Sequence, residues 1–204
     1  MATHAAVSVV TQALRAYLAE KLEGELPPPF KVETHLLAEK PSNLPTLTLF
    51  LYDIAEDTTL RNAPPVVTIE NKQRTVRRAP VPLILRYMIT PWSENAEDTY
   101  RMAGCVVAAL GDARTLLRSR LGEIQNHPPD IDTALAGIEL VSISMAHLSL
   151  EEKSKVWWAI QMPFRLSLIY EMRVVPIDLF QDAALEAGRV RSRELDGRLP
   201  AVMS

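Results

Sequence analysis

The stretch that decides the fold is Phe164-Arg-Leu-Ser-Leu-Ile-Tyr-Glu-Met-Arg-Val-Val-Pro-Ile177. Phe164, Leu166, Leu168, Tyr170, Met172 and Val174 fall on every second position, with Arg165, Ser167, Ile169, Glu171, Arg173 and Val175 between them. A period of two places the two sets on opposite faces of one long strand. Three other strands read clearly. Thr46 to Ile54 alternates Leu47, Leu49 and Leu51 with Thr46, Thr48, Phe50 and Tyr52, so both of its faces carry bulk. Pro82 to Thr90 sets Leu83, Leu85, Tyr87 and Ile89 against Ile84, Arg86 and Met88. Ile138 to Met145 is the third, and Phe30–Leu37 holds a shorter one.

Helical spacing governs the segments between. Val7, Val10, Leu14, Leu18 and Leu22 mark a helix over Ala5–Leu22, with Thr3 as its cap. Gly24 and Pro27-Pro28-Pro29 stop it. A second helix is expected from Glu94 to Leu121, with Ser93 as cap and Gly122 as stop; Met102, Val106, Ala109 or Leu110, Ala113, and Leu116 or Leu117 form its buried stripe. Ser149-Leu-Glu-Glu152 is a capping box opening a short helix through Trp158, which Met162-Pro163 ends. Residues 58–80 read as an exposed, irregular excursion. Two long helices and separated strands without regular βαβ alternation predict an α+β fold. The expectation is an antiparallel or mixed β-sheet with two long helices packed mainly on one face. One domain spans 1–180, followed by a charged, flexible C-terminal tail over 181–204.

Composition narrows the function. The 204 residues carry 22 basic and 25 acidic side chains, a net charge of −3, which argues against a dedicated nucleic-acid binder. Apolar residues make up 48% and charged residues 23%, the balance of a globular domain. One cysteine excludes an internal disulfide framework and a cysteine-based zinc site. No apolar run reaches the roughly 18 residues of a membrane span, and Met1-Ala-Thr-His4 lacks the basic start of a secretory signal. The reading is a product made in the cytosol. Only 7 glycines occur, against 15 prolines, which disfavours a phosphate-cradling loop.

Catalytic and metal signatures are missing from the pattern. His4, His35, His127 and His147 stand at no metal-ligand spacing. Asp130 and Asp132 follow Pro128-Pro129 as ordinary loop acids, and Cys105 sits in the apolar stripe of a helix as an inert buried thiol. Glu152 is explained by capping and Glu151 by a solvated face. No Gly-x-Ser-x-Gly elbow, P-loop or dinucleotide fingerprint occurs. The expectation is a protein with no catalytic residue, no cofactor and no metal.

Charge and tryptophan supply the candidate interface. Asp53, Glu56 and Asp57 end one strand in acid, while Lys72, Arg74, Arg77 and Arg78 form a basic run. No aromatic residue lies between Tyr52 and Tyr87, so the base-stacking partner that a single-strand binder uses is absent there. The run reads as a solvated loop or as a protein-contact arm. Trp157 and Trp158 lie about 100° apart on a helix, so one can enter the core while the other anchors an interface.

Leu148-Ser-Leu-Glu-Glu-Lys-Ser-Lys-Val-Trp157, followed by Pro163-Phe-Arg-Leu-Ser-Leu-Ile-Tyr-Glu-Met-Arg-Val-Val175, resembles the N-terminal domain of the tail-terminator (cap) family of phage-tail-like contractile injection systems. Leu51-Tyr-Asp53, Leu60-Arg-Asn62 and Pro82-Leu-Ile-Leu-Arg-Tyr87 are similar to that family in the same order, so the resemblance covers about residues 5–178. Met88-Ile-Thr-Pro-Trp92 departs from its Leu-rich strand end.

The resemblance implies a tail-terminator-like α+β fold and a non-enzymatic role. Such caps form a homo-hexamer on the distal end of the inner tube, contact the inner tube protein and the sheath protein, and end polymerisation. It further implies assembly in the cytoplasm within a particle that is released, with no nucleic acid and no membrane as partner. Opposite charge alone motivates pairing of Asp53–Asp57 with Lys72–Arg78 of an adjacent copy. The alternatives are another neck or baseplate component of the same kind of particle, and an enzyme whose chemistry the sequence does not display.

Overall fold

A computed structural model describes residues 6–26, 28–37, 39–62, 64, 66–70, 73–77, 79–113, 115–117 and 140–177; for 66–70, 73–77, 115–117, 140 and 174–177 it describes the backbone alone. The chain runs α1 (Ala6–Leu22), β1 (Lys31–Thr34), β2 (Thr46–Glu56), β3 (Val66–Glu70), β4 (Gln73–Arg77), β5 (Val81–Trp92), α2 (Ala96–Asp112), β6 (Thr115–Leu117), β7 (Leu140–Met145), α3 (Leu150–Ala159) and β8 (Leu168–Ile177). Six strands form one mixed sheet in the order β1-β2-β5-β8-β7-β6. Only β1 and β2 run parallel; every other neighbouring pair is antiparallel.

The period of two in β5 and β8 gives the sheet two distinct faces. Leu85, Tyr87, Ile89, Leu168, Tyr170 and Met172 enter the larger core, which α1 and α2 cover. Met88, Trp92 and Ile169 point the other way and join Trp157 of α3 and Leu37 in a smaller core. So the two long helices share one face, as expected, and the short third helix takes one part of the opposite face.

Buried hydroxyls tie these layers together. Thr11 of α1 donates to the Val7 carbonyl at 2.7 Å, so its single proton is used and the Tyr87 hydroxyl, 2.8 Å away, donates to it. Burial pushes the Tyr87 phenol well above its ordinary pKa. The Trp92 indole donates to Thr48 Oγ1 at 2.8 Å, and Thr48 donates to the Thr90 carbonyl at 3.2 Å.

Several expectations need correction. Residues 58–80 are not wholly irregular, because β3 and β4 pair in register from Val66↔Arg77 to Glu70↔Gln73. Val66-Val-Thr-Ile69 and Thr75-Val76 are β-branched and suit a pleated pair, a local signal that the polar surroundings hide. This hairpin falls in residues 64–79, a compact unit separate from the one that holds the six-stranded sheet.

The second helix ends at Asp112, not Leu121, and Thr115–Leu117 pairs with Leu140–Ser142 as β6. Strand pairing with β7 overrides the helical spacing of Leu116 and Leu117, after Gly111-Asp112 has weakened the helix. The Asn95 side chain, rather than Ser93, caps α2 by accepting the Glu97 N–H at 3.0 Å. Cys105 is half-buried rather than fully buried. The long strand starts at Leu168, not Phe164. Continuing the register of Ile89↔Leu168 puts Pro91 opposite Leu166, where a proline has no N–H to extend the ladder. Thr3, Gly122, His4, His127, Asp130, Asp132 and the tail over 181–204 lie outside the described residues. Among the described residues, no helix is long and apolar enough to cross a membrane.

Candidate assembly surface

α3 sits where it does because of its first turn and one buried ring. Ser149 Oγ accepts the Glu152 N–H at 3.2 Å, and the Glu152 carboxylate accepts the Ser149 N–H at 2.8 Å, completing the capping box. The Ser149 bonds hold the Glu152 carboxyl below the usual glutamate range. Trp157 is fully buried, and its ring meets Trp92 edge-on. One residue further, and about 100° round the helix, Trp158 is 83% exposed. Trp158, Ala159, Gln161, Met162 and Pro163 line a shallow depression of about 580 Å³. Leu150 and Ser154, at the i−8 and i−4 positions, share the exposed ridge with Trp158. Of the two candidate tryptophans, Trp157 therefore belongs to the core and Trp158 to the surface.

The chain leaves α3 through Gln161, whose φ is +58°, and continues without regular secondary structure to Ser167. Arg165 turns inward and lays its guanidinium 4.4 Å above the Trp92 ring. Thr90 donates to Ser167 Oγ at 3.0 Å, because the Ser167 proton is committed to the Arg165 carbonyl at 3.1 Å. Phe164 and Leu166 point outward, 48% and 41% exposed.

Beyond α3, the same face of the sheet carries charge. Arg86 on β5 donates to Glu171 Oε1 on β8 at 2.8 Å and to Asp53 Oδ2 on β2 at 2.6 Å, so one guanidinium joins three strands. Arg173 adds a 2.9 Å bond to Glu171. Hydrogen bonds from Arg86 hold the Glu171 carboxyl below its ordinary range, and those two carboxylates raise the Arg86 pKa. A bulge between Leu51 and Asp53 inserts Tyr52 beside this group, and partial burial raises its phenol pKa.

Each candidate acid already has a bond within its own chain. Asp53 is held by Arg86. Glu56 meets Arg61 at 3.6 Å, with side chains 39% and 66% exposed. Asp57 is buried at a turn, where its Oδ1 accepts the Thr59 N–H at 3.0 Å and the Thr59 hydroxyl at 2.6 Å; these bonds lower its pKa. Arg74 and Arg77 lie on β4, opposite Ile69 and Val66, whereas Lys72 and Arg78 lie outside the described residues.

The sequence reading missed Arg86 as a hub and Arg165 as the partner of Trp92. A visible signal existed, since Asp53, Arg86, Glu171 and Arg165 are single charges set inside otherwise apolar alternation. Among the described residues, no group of three His, Cys, Asp or Glu stands close enough to hold a metal. The His35 ring accepts the Leu37 N–H at 2.9 Å, a local turn contact. Among the described residues, the arrangement offers surfaces for contact and no convergent acid, base and nucleophile.

Comparison with known proteins places this geometry. The Pvc16 N-terminal domain family model matches residues 9–191. No curated protein matches the sequence. A cryo-EM structure of the sheath/tube terminator of an extracellular contractile injection system, PVC, in its extended state superposes with a TM-score of 0.66 at 23% identity, covering 100% of this chain and 67% of that one. The cryo-EM structure of the anti-feeding prophage cap, described as the AFP tube-terminating cap, superposes with a TM-score of 0.61 at 22% identity, covering 95% of this chain and 60% of that one. At these identities the likeness is one of fold.

Proposed function

The chain belongs to the Pvc16 N-terminal domain family, and on that premise we propose that it is a structural terminator subunit of a contractile injection system. Copies close into a homo-hexameric ring on the distal end of the inner tube and sheath, ending polymerisation and stabilising the extended particle. The inner tube protein and the sheath protein are its partners. It performs no catalysis, needs no cofactor, and assembles in the cytoplasm as part of a particle that is later released.

The observation that carries this reading is the fold itself, a mixed sheet with two long helices on one face, shared along the whole chain with a sheath/tube terminator. A contact between unlike surfaces repeats head-to-tail and closes by rotation, which sets the copy number by geometry. Growth stops when one side of the ring matches the polymer end and the other offers no further site.

The exposed indole of Trp158 is the interface anchor. Pairing of the acidic stretch Asp53–Asp57 with the basic run Lys72–Arg78 of an adjacent copy is a further contact. Within that stretch Glu56 carries the contact, since Asp57 is buried and Asp53 is closely held by Arg86. Residues 1–180 form the terminator domain, and the tail over 181–204 docks on the sheath or on a neighbouring subunit.

Negative-stain imaging of particles from a strain lacking this chain tests the proposal. Misregulated lengths or unsheathed tubes are expected; particles of normal length and intact sheath would reject it.

A further inference from the structure

Among the described residues, two backbone segments lack a strand partner on one side. The first is the outer edge of β1, the terminal strand, which among the described strands pairs with β2 alone. A groove of about 1250 Å³ runs past it, between the C-terminal half of α1 and residues 24–33. Ala16, Ala19, Leu26, Phe30 and Val32 supply its apolar wall, and Glu33 stands at its margin. The second is Phe164–Leu166, which lies outside every strand and whose N–H and C=O groups make no backbone–backbone hydrogen bond to a described residue. Its side chains alternate, Phe164 and Leu166 outward and Arg165 inward.

Unpaired main-chain edges bind other strands, with pockets for alternate side chains giving specificity. The lengths are compatible, because the four residues of β1 span about 13 Å and the three residues Phe164–Leu166 would reach about 10 Å as a strand. Charge agrees as well. Glu33 has no hydrogen bond or ion pair with a described residue, and Arg165 has no carboxylate partner among them. Arg165 Nε is buried without an acceptor.

We propose that the Phe164–Leu166 segment of one copy adds as a strand to the β1 edge of a second copy, seating Phe164 and Leu166 in the groove beside α1 and pairing Arg165 with Glu33. The two edges are different surfaces, so the contact is head-to-tail and propagates round a closed ring. It rests on the reading that copies of this chain assemble, and it adds which edges meet.

Native mass spectrometry and sedimentation of the full chain test it, with circular dichroism melts as the folding control. Arg165→Glu or Glu33→Arg alone is expected to weaken association about thirtyfold or more, the loss typical of leaving one buried charge unpaired. The double exchange Glu33→Arg with Arg165→Glu is expected to recover most of that loss. Leu166→Pro, which removes the edge N–H, is expected to abolish association while the melt persists. Single variants that assemble as the wild type does, or a double no better than the weaker single, would overturn this contact while leaving the ring intact. A wild-type chain that stays monomeric at every concentration would overturn the ring, and this contact with it.

Discussion

The indole rings of Trp92 and Trp157 lie with centroids 6.2 Å apart and planes crossed at 66°, an edge-to-face contact that fastens α3 to the sheet. Both rings are shielded from solvent, and Arg165 closes the far side of Trp92. The neighbouring Trp158 takes no part in this core. The two adjacent tryptophans should therefore fail in different ways. Trp157→Ala is expected to destabilise the fold by about 3–5 kcal/mol, the usual cost of emptying a large buried ring site. Trp158→Ala is expected to leave stability within about 0.5 kcal/mol and to impair assembly instead. Urea melts beside native mass on both variants check this, and equal loss of stability would contradict it.

Tyr87→Phe probes the bond between α1 and β5. Thr11 keeps its own bond to Val7 when the phenol oxygen is removed, so no buried donor is orphaned. The expected cost is about 0.5–1.5 kcal/mol, read from chemical denaturation. A loss above about 3 kcal/mol would mean that a buried polar group had been stranded.

Glu171 gives the fold an acid sensitivity. Its folded pKa lies below the unfolded value of about 4.3, so its stabilisation is complete above that pH and is lost as pH falls through the lowered folded value. Glu171→Gln should thus be less stable than the wild type at pH near 7, with the gap narrowing below about pH 4. Denaturation midpoints across a pH series check this. A gap that stays constant down to about pH 2 would remove the Arg86–Glu171 pair as its source.

Reversing Arg74, Arg77 and Arg78 to Glu tests the charge contact between copies. If that basic run meets the Glu56 region of a neighbour, the triple variant should form the ring less readily, and the defect should resemble the effect of added salt on the wild type. Hexamer mass unchanged by the triple reversal would dismiss that contact.

Much of this fold is written locally. The alternation in Phe164–Ile177 and Pro82–Thr90 announces two-faced strands, and these became the central pair β5 and β8. Capping at Ser149 and the stop at Gly24, whose φ is +85°, are likewise local, because each depends on a few neighbouring atoms. The errors fell where distant partners decide. Leu116-Leu117 has helical spacing, yet β7 recruits it as a strand. Phe164–Ser167 has strand alternation, yet Pro91 on the facing strand offers it no N–H.

The candidate surface divides in the same way. Adjacency on a helix told in advance that Trp157 and Trp158 face apart, because that follows from 3.6 residues per turn. Which of the two enters the core was settled only when α3 packed over Trp92. The acids at Asp53, Glu56 and Asp57 looked free in the chain because their partners Arg86, Arg61 and Thr59 are placed by β pairing and turn geometry. Periodicity and caps are carried by residues a few positions apart, so the sequence alone determined the elements and their faces. The order of strands, the Arg86 hub and the open edges at β1 and Phe164–Leu166 depend on residues tens of positions apart, and only the tertiary structure brought those together.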